Sequence, residues 1–386
     1  MKALDMLVFI GLRKITSYMY KLFWVFPVKN NRIVLTSYRD YGFTDNPKYL
    51  CQYLQNKYPG RFEFVFAVRK DTDHVDADYI KTTRHRTLGW VYYLATAKVV
   101  VWNSGQPSWL TRRKKQLVIE TWHGGGAFKR TDTMNTNPII NSWIKKRNRT
   151  YINLFVSSSQ IFTKYNIIEG KQYDGKVLCC GMPRNDLLFC HELLTNRSEK
   201  VRKQYGLGDS FCVLFAPTYR GTPDNAGNIK TFPPLADIAE VLREKLGRNV
   251  TILLRSHHCD QNRYSIPGVT VEVSDYPDIQ ELICCSDILI TDYSSTMWDF
   301  ALLGRPCYLF VPDLEEYKQD RGFYTPIEEW PGIICHNGDE LLKEIKGMNF
   351  ERSRKIAEQY LKKAVSYEQG NAAEKIANVI IQYTKG

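Results

Sequence analysis

The chain has 386 residues, of which 44% are hydrophobic and 13% aromatic, a globular composition long enough for two domains. Its formal net charge of +12 points to an anionic partner without choosing among nucleic acid, anionic lipid and a phosphate-rich substrate. The ten cysteines include no C-x-x-C pair, which argues against a zinc site and for buried free thiols in a reducing compartment.

From the N-terminus, residues 4 to 26 carry apolar side chains at close to helical spacing (Leu4, Val8, Leu12, Ile15, Met19, Leu22, Phe26), broken by Arg13, Lys14 and Lys21. The uncharged run is far below the ~18–20 residues of a spanning helix, and no small-residue cleavage site follows. Residues 1–30 therefore read as a basic amphipathic helix on a membrane surface or as a helix packed on the protein's own core. Strands and helices then alternate. Strands are expected at 32–36, 62–68, 98–102, 116–121 and 153–157, with helices at 46–57 (Pro47 in its first turn), 87–97 and 159–165. The second half repeats the rhythm, with strands at 213–216, 251–254, 270–273, 288–291 and 307–310. Its helices fall at 234–246, 278–284 and 296–303, the last ended by Gly304. The polar stretch 190–208 is the best boundary, and the helical tail 350–383 could cross back over the first domain. The expectation is an α/β protein of two Rossmann-like, doubly wound domains facing a cleft, divided as 1–30, 31–195 and 196–386, with ligands at the carboxyl ends of the strands.

Three strand ends carry chemistry. His123 follows the strand 116–121 on the glycine-rich loop Gly124-Gly125-Gly126, where backbone N–H groups can approach an anion and an imidazole can act as a general base. Arg255-Ser256-His257 closes the strand 251–254. Arg255 can fork onto a phosphate, and His257 can protonate a leaving oxygen. Asp292-Tyr293-Ser294-Ser295-Thr296 lies between the strand ending at Thr291 and the next helix, a polar turn suited to phosphate. Arg220, at the end of Ala216-Pro217-Thr218-Tyr219, is a further candidate phosphate ligand. Spacing alone leaves a turn-capping role open for His123, a surface pair with His258 open for His257 and a plain turn open for Arg220. The basic runs 112–115 and 145–149 read as solvated loops, or with the N-terminal helix as a patch for anionic lipid.

In order along the chain, these motifs resemble the CDP-glycerol glycerophosphotransferases of teichoic-acid and related polymer synthesis. The resemblance runs from about residue 32 to 330. It rests on Asp45-Asn46-Pro47-Lys48-Tyr49, Glu120-Thr121-Trp122-His123-Gly124, Gly181-Met182-Pro183-Arg184-Asn185-Asp186, Pro217 to Gly221, Arg255-Ser256-His257 and Ser286-Asp287 through Asp292-Tyr293-Ser294-Ser295. It continues with Asp299, Arg305-Pro306, Asp313 to Tyr317 and Arg321-Gly322-Phe323-Tyr324.

The resemblance implies a glycosyltransferase-B-like fold with the CDP donor held mainly by the second domain. His123 would be the base, with His257 at the donor diphosphate or leaving group. Gly124, Arg220, Arg255, Asp292, Ser294 and Ser295 would bind substrate. The implied reaction is attack of an acceptor hydroxyl on the β-phosphorus of CDP-glycerol, releasing CMP. The implied acceptor is an undecaprenyl-diphosphate-linked saccharide or polyol phosphate at the cytoplasmic membrane face, which makes the enzyme peripheral to an anionic membrane surface. No nucleic-acid partner and no tightly bound metal or cofactor are expected, with Mg²⁺ at most stimulating through Asp292 or Asp299. Gly125-Gly126 stands where the family usually has Thr-Pro, a change expected to widen the acceptor side. The missing long N-terminal domain of many polymerases favours a single addition. CDP-ribitol as donor, a nucleotide sugar on the same fold, and a non-catalytic lipid-binding or nucleic-acid-binding protein are the alternatives. CMP release, as against UDP or GDP, separates the first two chemistries.

Overall fold

A computed structural model describes residues 3–38, 42–69, 75, 77–107, 109–130, 138–218, 220–222, 225–227, 231–255 and 266–385. Of 3–10, 138–140, 220–222 and 225–227 only the backbone is described. The chain divides into two compact units, one of residues 1–123, 131–186 and 367–386, the other of 124–130 and 187–366. The main division falls at 186/187, upstream of the expected 195/196. The reason is that 190–208 is no linker. Its centre is a helix, His191–Tyr205, which buries Val201 and ends in Gly206 at φ 62°. The helix has little else that is apolar, so its composition reads as a boundary.

The first unit is built on a seven-stranded parallel sheet of β1 (Lys29–Thr36), β2 (Glu63–Val68), β3 (Ile80–Arg84), β4 (Ala97–Trp102), β5 (Leu117–Glu120), β6 (Leu154–Ser157) and β7 (Lys176–Cys179). The order is β3-β2-β1-β4-β5-β6-β7. The central strands are continuous apolar runs (Ile33-Val34-Leu35, Val99-Val100-Val101) because both faces are covered, and all six of these residues are buried. The edge strands β3 and β7 are partly exposed, and β3 (Ile80-Lys81-Thr82-Thr83-Arg84) lacks such a run, so pattern alone does not announce it.

The second unit pairs β8 (Phe211–Phe215), β11 (Val250–Leu254), β12 (Thr270–Glu272), β13 (Ile288–Thr291), β14 (Cys307–Phe310) and β15 (Ile333–Cys335), in the order β12-β11-β8-β13-β14-β15. A two-stranded antiparallel hairpin of β9 (Arg220–Thr222) and β10 (Asn225–Gly227) stands apart from it. Both sheets reverse strand order once, between β1 and β4 and between β8 and β13, as doubly wound nucleotide-binding sheets do. That reversal opens a crevice at the carboxyl ends of those strands.

The expected tail helix is two helices. Phe350–Ala364 belongs to the second unit and stops at Val365, φ 50°. Ala372–Thr384 returns to the first unit, where Ile376 and Ile380 are fully buried. A polar clasp fixes the return: the Asp186 carboxylate accepts from Ala372 N (2.9 Å) and Ala373 N (2.8 Å). Glu368 accepts from Met182 N and Asn185 Nδ2, both at 3.0 Å.

The N-terminal helix, Ala3–Leu22, packs inward through buried Tyr20 against Trp24 and Trp109. Leu12, Ile15, Met19 and Leu22, spaced i, i+3, i+7 and i+10, are 59–73% exposed along one face. No helix among the described residues is long and apolar enough to cross a membrane. Two members of the basic runs are structural. Arg113 donates to the carbonyls of Phe26 (2.7 Å), Ala95 (3.0 Å) and Trp24 (3.1 Å), and Arg147 to those of Gln106 and Pro107, while 145–149 lies in the helix Pro138–Tyr151 and not in a loop.

Candidate functional site

In the first unit the crevice collects the ends of β1, β4 and β5. β5 ends at Glu120, and two residues later Trp122 takes φ 55°, a left-handed conformation that a bulky residue rarely adopts. That kink presents His123. Its Nδ1 lies 2.7 Å from the carbonyl oxygen of Asn103, just past the end of β4. A carbonyl only accepts, so Nδ1 carries the proton and Nε2 is left with its lone pair. The ring stacks on Trp122 (centroids 4.3 Å, 29°) and faces Tyr38 (5.4 Å), while the residue keeps partial solvent exposure. Burial pulls its pKa down to about 4, against the Asn103 carbonyl and the Asp45 carboxylate, which pull it up. The imidazole is therefore neutral at pH 7, in the tautomer a general base requires.

Beneath the loop lies a buried ion pair, Arg184 Nη1 to Asp45 Oδ2 at 2.6 Å, with side chains 2% and 1% exposed. The same Nη1 donates to the His123 carbonyl at 2.8 Å. Asn46 Nδ2 donates to the Trp122 carbonyl (2.9 Å), and Tyr38 Oη donates to Asp45 (2.5 Å). Burial pushes the Asp45 carboxyl up, but Arg184, the Tyr38 hydroxyl and the Asn46 N–H outweigh it and hold the group below its usual value.

Glu120 is buried on the other side of the kink. It accepts from Trp122 N (3.1 Å) and from Gln106 Nε2, and Lys171 Nζ sits 3.8 Å over the Trp122 ring. Burial raises its carboxyl from 4.5 to about 8. The fold thus favours the protonated form. That contribution is fully present below pH ~4.5 and is lost as pH rises through about 8. Glu120→Gln, which cannot ionise, should gain stability relative to the parent across that window, the gap widening by at most about 1.4 kcal/mol for each step of one in pH. Denaturant midpoints of both proteins from pH 5 to 9 test this, and a constant gap would refute it.

In the second unit the crevice lies between the ends of β8 and β13. Asp292 Oδ1 accepts from Thr218 N (2.8 Å) and Tyr293 N (2.6 Å), so this carboxylate ties the two strand ends together. The same bonds fix the turn in which the expected substrate ligand Asp292 stands. Ser294, Ser295 and Thr296 are half-buried between buried neighbours, with Ser294 Oγ 3.0 Å from Thr296 Oγ1. The following helix, Thr296–Ala301, is only six residues, so the hydroxyls and turn amides carry more of any anion contact than its dipole does. Tyr293 is stacked flat on Tyr317 (3.7 Å, 11°) and donates to Asp313 Oδ1 (2.9 Å), which rigidifies the turn from behind.

The glycines after His123 have a packing reason. A Cβ on Gly125 would lie 2.0 Å from Trp298 Cδ1, one on Gly126 2.1 Å from Phe128 Cε2, and one on Gly124 3.0 Å from Ser295 Oγ. The Trp298 and Phe128 rings take the space beside Gly125 and Gly126, so these two positions are glycine for packing whatever they do for the acceptor side.

Arg255 is half-exposed, and its Nη1 donates to the Tyr276 carbonyl (2.7 Å), so part of its fork is engaged with backbone. Arg220 opens β9 but its side chain is not among those described, and His257 lies outside the described residues. Among the described residues no group of three His, Cys, Asp or Glu side chains converges as a metal ligand set. Sequence reasoning assigns no role to Asn103, Asp45, Arg184 or Tyr38. Asp45 and Arg184 stand inside two of the motif blocks, but nothing local says that blocks 139 residues apart meet.

The chain matches the family model of CDP-glycerol:poly(glycerophosphate) glycerophosphotransferases over residues 18–382. It is 28% identical to the teichoic acid poly(glycerol phosphate) polymerase of Bacillus spizizenii, covering 95% of this chain and 96% of that protein. It is also 28% identical to the teichoic acid glycerol-phosphate transferase of Staphylococcus aureus, covering 94% and 96%. A solved structure of the wall teichoic acid polymerase TagF superposes with a TM-score of 0.80 at 25% identity, over 99% of this chain and 97% of that one.

Proposed function

Because this chain belongs to the CDP-glycerol:poly(glycerophosphate) glycerophosphotransferase family, we propose that it moves glycerol phosphate from CDP-glycerol to a hydroxyl of a membrane-associated acceptor, with His123 as the base. It is a CDP-glycerol glycerophosphotransferase of the teichoic-acid type. The observation that carries the assignment of His123 is the contact of Nδ1 with the Asn103 carbonyl, which leaves the Nε2 lone pair able to accept.

Nε2 takes the proton of the acceptor hydroxyl as its oxygen attacks the β-phosphorus. The new O–P bond replaces the bond to the bridging oxygen, which leaves with CMP. The turn at Ser294 and Ser295, with Gly124, Arg220 and Arg255, holds the diphosphate, and His257 assists departure of CMP. This donor set offsets the diphosphate charge without a tightly bound metal. The acceptor is a lipid-linked saccharide or polyol phosphate. The exposed Leu12, Ile15, Met19 and Leu22 stripe, with Lys14 and Lys21 exposed on the same helix, supports a peripheral position at the cytoplasmic face of an anionic membrane.

The test is nucleotide release from CDP-glycerol and, separately, CDP-ribitol, with a lipid-linked acceptor in anionic vesicles. Acceptor-dependent CMP from CDP-glycerol that survives EDTA is expected. CMP from CDP-ribitol alone would reassign the donor, and loss with EDTA restored by Mg²⁺ would overturn the metal-free reading.

A further inference from the structure

The hydrogen bonds around His123 close a circuit. His123 Nδ1 binds the Asn103 carbonyl (2.7 Å), and Asn103 Oδ1 accepts from Tyr38 N (2.7 Å). Tyr38 Oη donates to Asp45 Oδ2 (2.5 Å), which holds Arg184 Nη1 (2.6 Å), which donates to the His123 carbonyl (2.8 Å). Both ends of the histidine, ring and backbone, are thus gripped by one closed set of bonds. A strut crosses it: Asn46 takes Arg184 N on its Oδ1 (3.1 Å) and donates from Nδ2 to the Trp122 carbonyl (2.9 Å).

Three residues of this assembly sit in the left-handed region without being glycine: Tyr38 at φ 47°, Asp45 at 60° and Trp122 at 55°. Such conformations persist only where surrounding bonds over-determine them, and they gather at functional sites. The ion pair is also costly to bury, and apolar residues of the same volume would serve stability as well or better. Strain and buried charge on the same few residues, all joined through one circuit to His123, are what a positioning device requires.

We propose that Arg184, locked by Asp45 and Tyr38, is a positioning residue that sets the placement and basicity of His123 without touching substrate. The proposal rests on His123 being the base. Among the described residues, the charged and titratable groups facing the imidazole are Asp45, Arg184, Lys171 and Tyr38. Asp45 favours the imidazolium, whereas Arg184 and Lys171 oppose it. Removing the Arg184 charge therefore moves the acid limb of the pH–rate profile to higher pH, a shift that loss of packing alone does not produce.

The experiment compares Arg184→Gln, Arg184→Lys, Tyr38→Phe and His123→Ala in CMP release, with kcat, KM for CDP-glycerol, the pH profile of kcat/KM and the thermal midpoint of each. Arg184→Gln should lose about 10²-fold in kcat with KM for the donor within about twofold, and its acid limb should rise. Arg184→Lys, which keeps the charge but cannot grip both Asp45 and the His123 carbonyl in the same geometry, should recover part of kcat and restore the limb. Should Arg184→Gln fail to fold, Tyr38→Phe removes a single bond of the circuit and should lower kcat several-fold with a near-parental midpoint. Folded Arg184 and Tyr38 variants with parental kcat and an unmoved limb, beside an inactive His123→Ala, would overturn the positioning role alone. An active His123→Ala would overturn the base assignment, and the positioning role with it.

Discussion

His123→Ala is expected to lower acceptor-dependent CMP release by about 10²–10⁴-fold, the usual contribution of a positioned general base. The fold should survive, because the Arg184 contact is to the His123 carbonyl, which alanine keeps, so the change costs the ring its bond to the Asn103 carbonyl and leaves the backbone grip in place. Thermal unfolding should therefore move little while turnover collapses. The parent enzyme adds a second check. An ordinary imidazole titrates near 6.5, but burial holds this one at about 4. The kcat/KM profile should stay flat from neutrality down to about pH 5, with its acid limb below that. A variant retaining activity within about tenfold, or a parent profile breaking near 6.5, would remove His123 from the base role.

Gly125→Ala should be the most damaging single methyl in the second unit. The added Cβ would stand 2.0 Å from Trp298 Cδ1 and 2.1 Å from Nε1, distances no contact tolerates. Trp298 is fully buried and set edge-on to Tyr360 (5.9 Å, 79°), so the indole cannot step aside without disturbing the helix Phe350–Ala364. Overpacking of this kind costs about 1–3 kcal/mol, occasionally more. Gly105→Ala is the control, since nothing lies within 4 Å of its added Cβ, and it should stay within about 0.5 kcal/mol of the parent. Equal denaturation midpoints for the two variants would show that the loop yields and that the glycine is not there for packing.

The sheets are legible in the sequence where strands are buried on both faces. Val99-Val100-Val101 and Ile288-Leu289-Ile290 admit hardly any other reading, and the positions of His123 and of the Asp292–Thr296 turn after strand ends follow from them. Edge strands such as Ile80–Arg84 are not legible, because solvent on their exposed side permits Lys81 and Arg84 in place of apolar residues. The helix His191–Tyr205 is hidden by its polarity. At the site, residue type and strand position find the histidine. The groups that determine its proton are out of reach, since Asn103, Asp45 and Arg184 act through backbone carbonyls and a pairing across 139 residues. The structural half of Asp292's work is likewise hidden: nothing local says that its carboxylate takes the amide of Thr218, 74 residues away, as well as that of Tyr293.

The returning helix Ala372–Thr384 has a consequence for how the protein is made. Ile376 and Ile380 belong to the core around β1 to β7, so the first unit leaves the ribosome ahead of the second but is completed after it. At about 5–20 residues per second, roughly 10–40 s separate synthesis of Asp186 from that of its partners Ala372 and Ala373. The second unit has all its described strands and its own helix Phe350–Ala364 by residue 366, and can close first. A seven-stranded sheet therefore waits in the cell with one face incompletely covered, and the nascent chain is most exposed to misassociation just before residues 372–384 emerge.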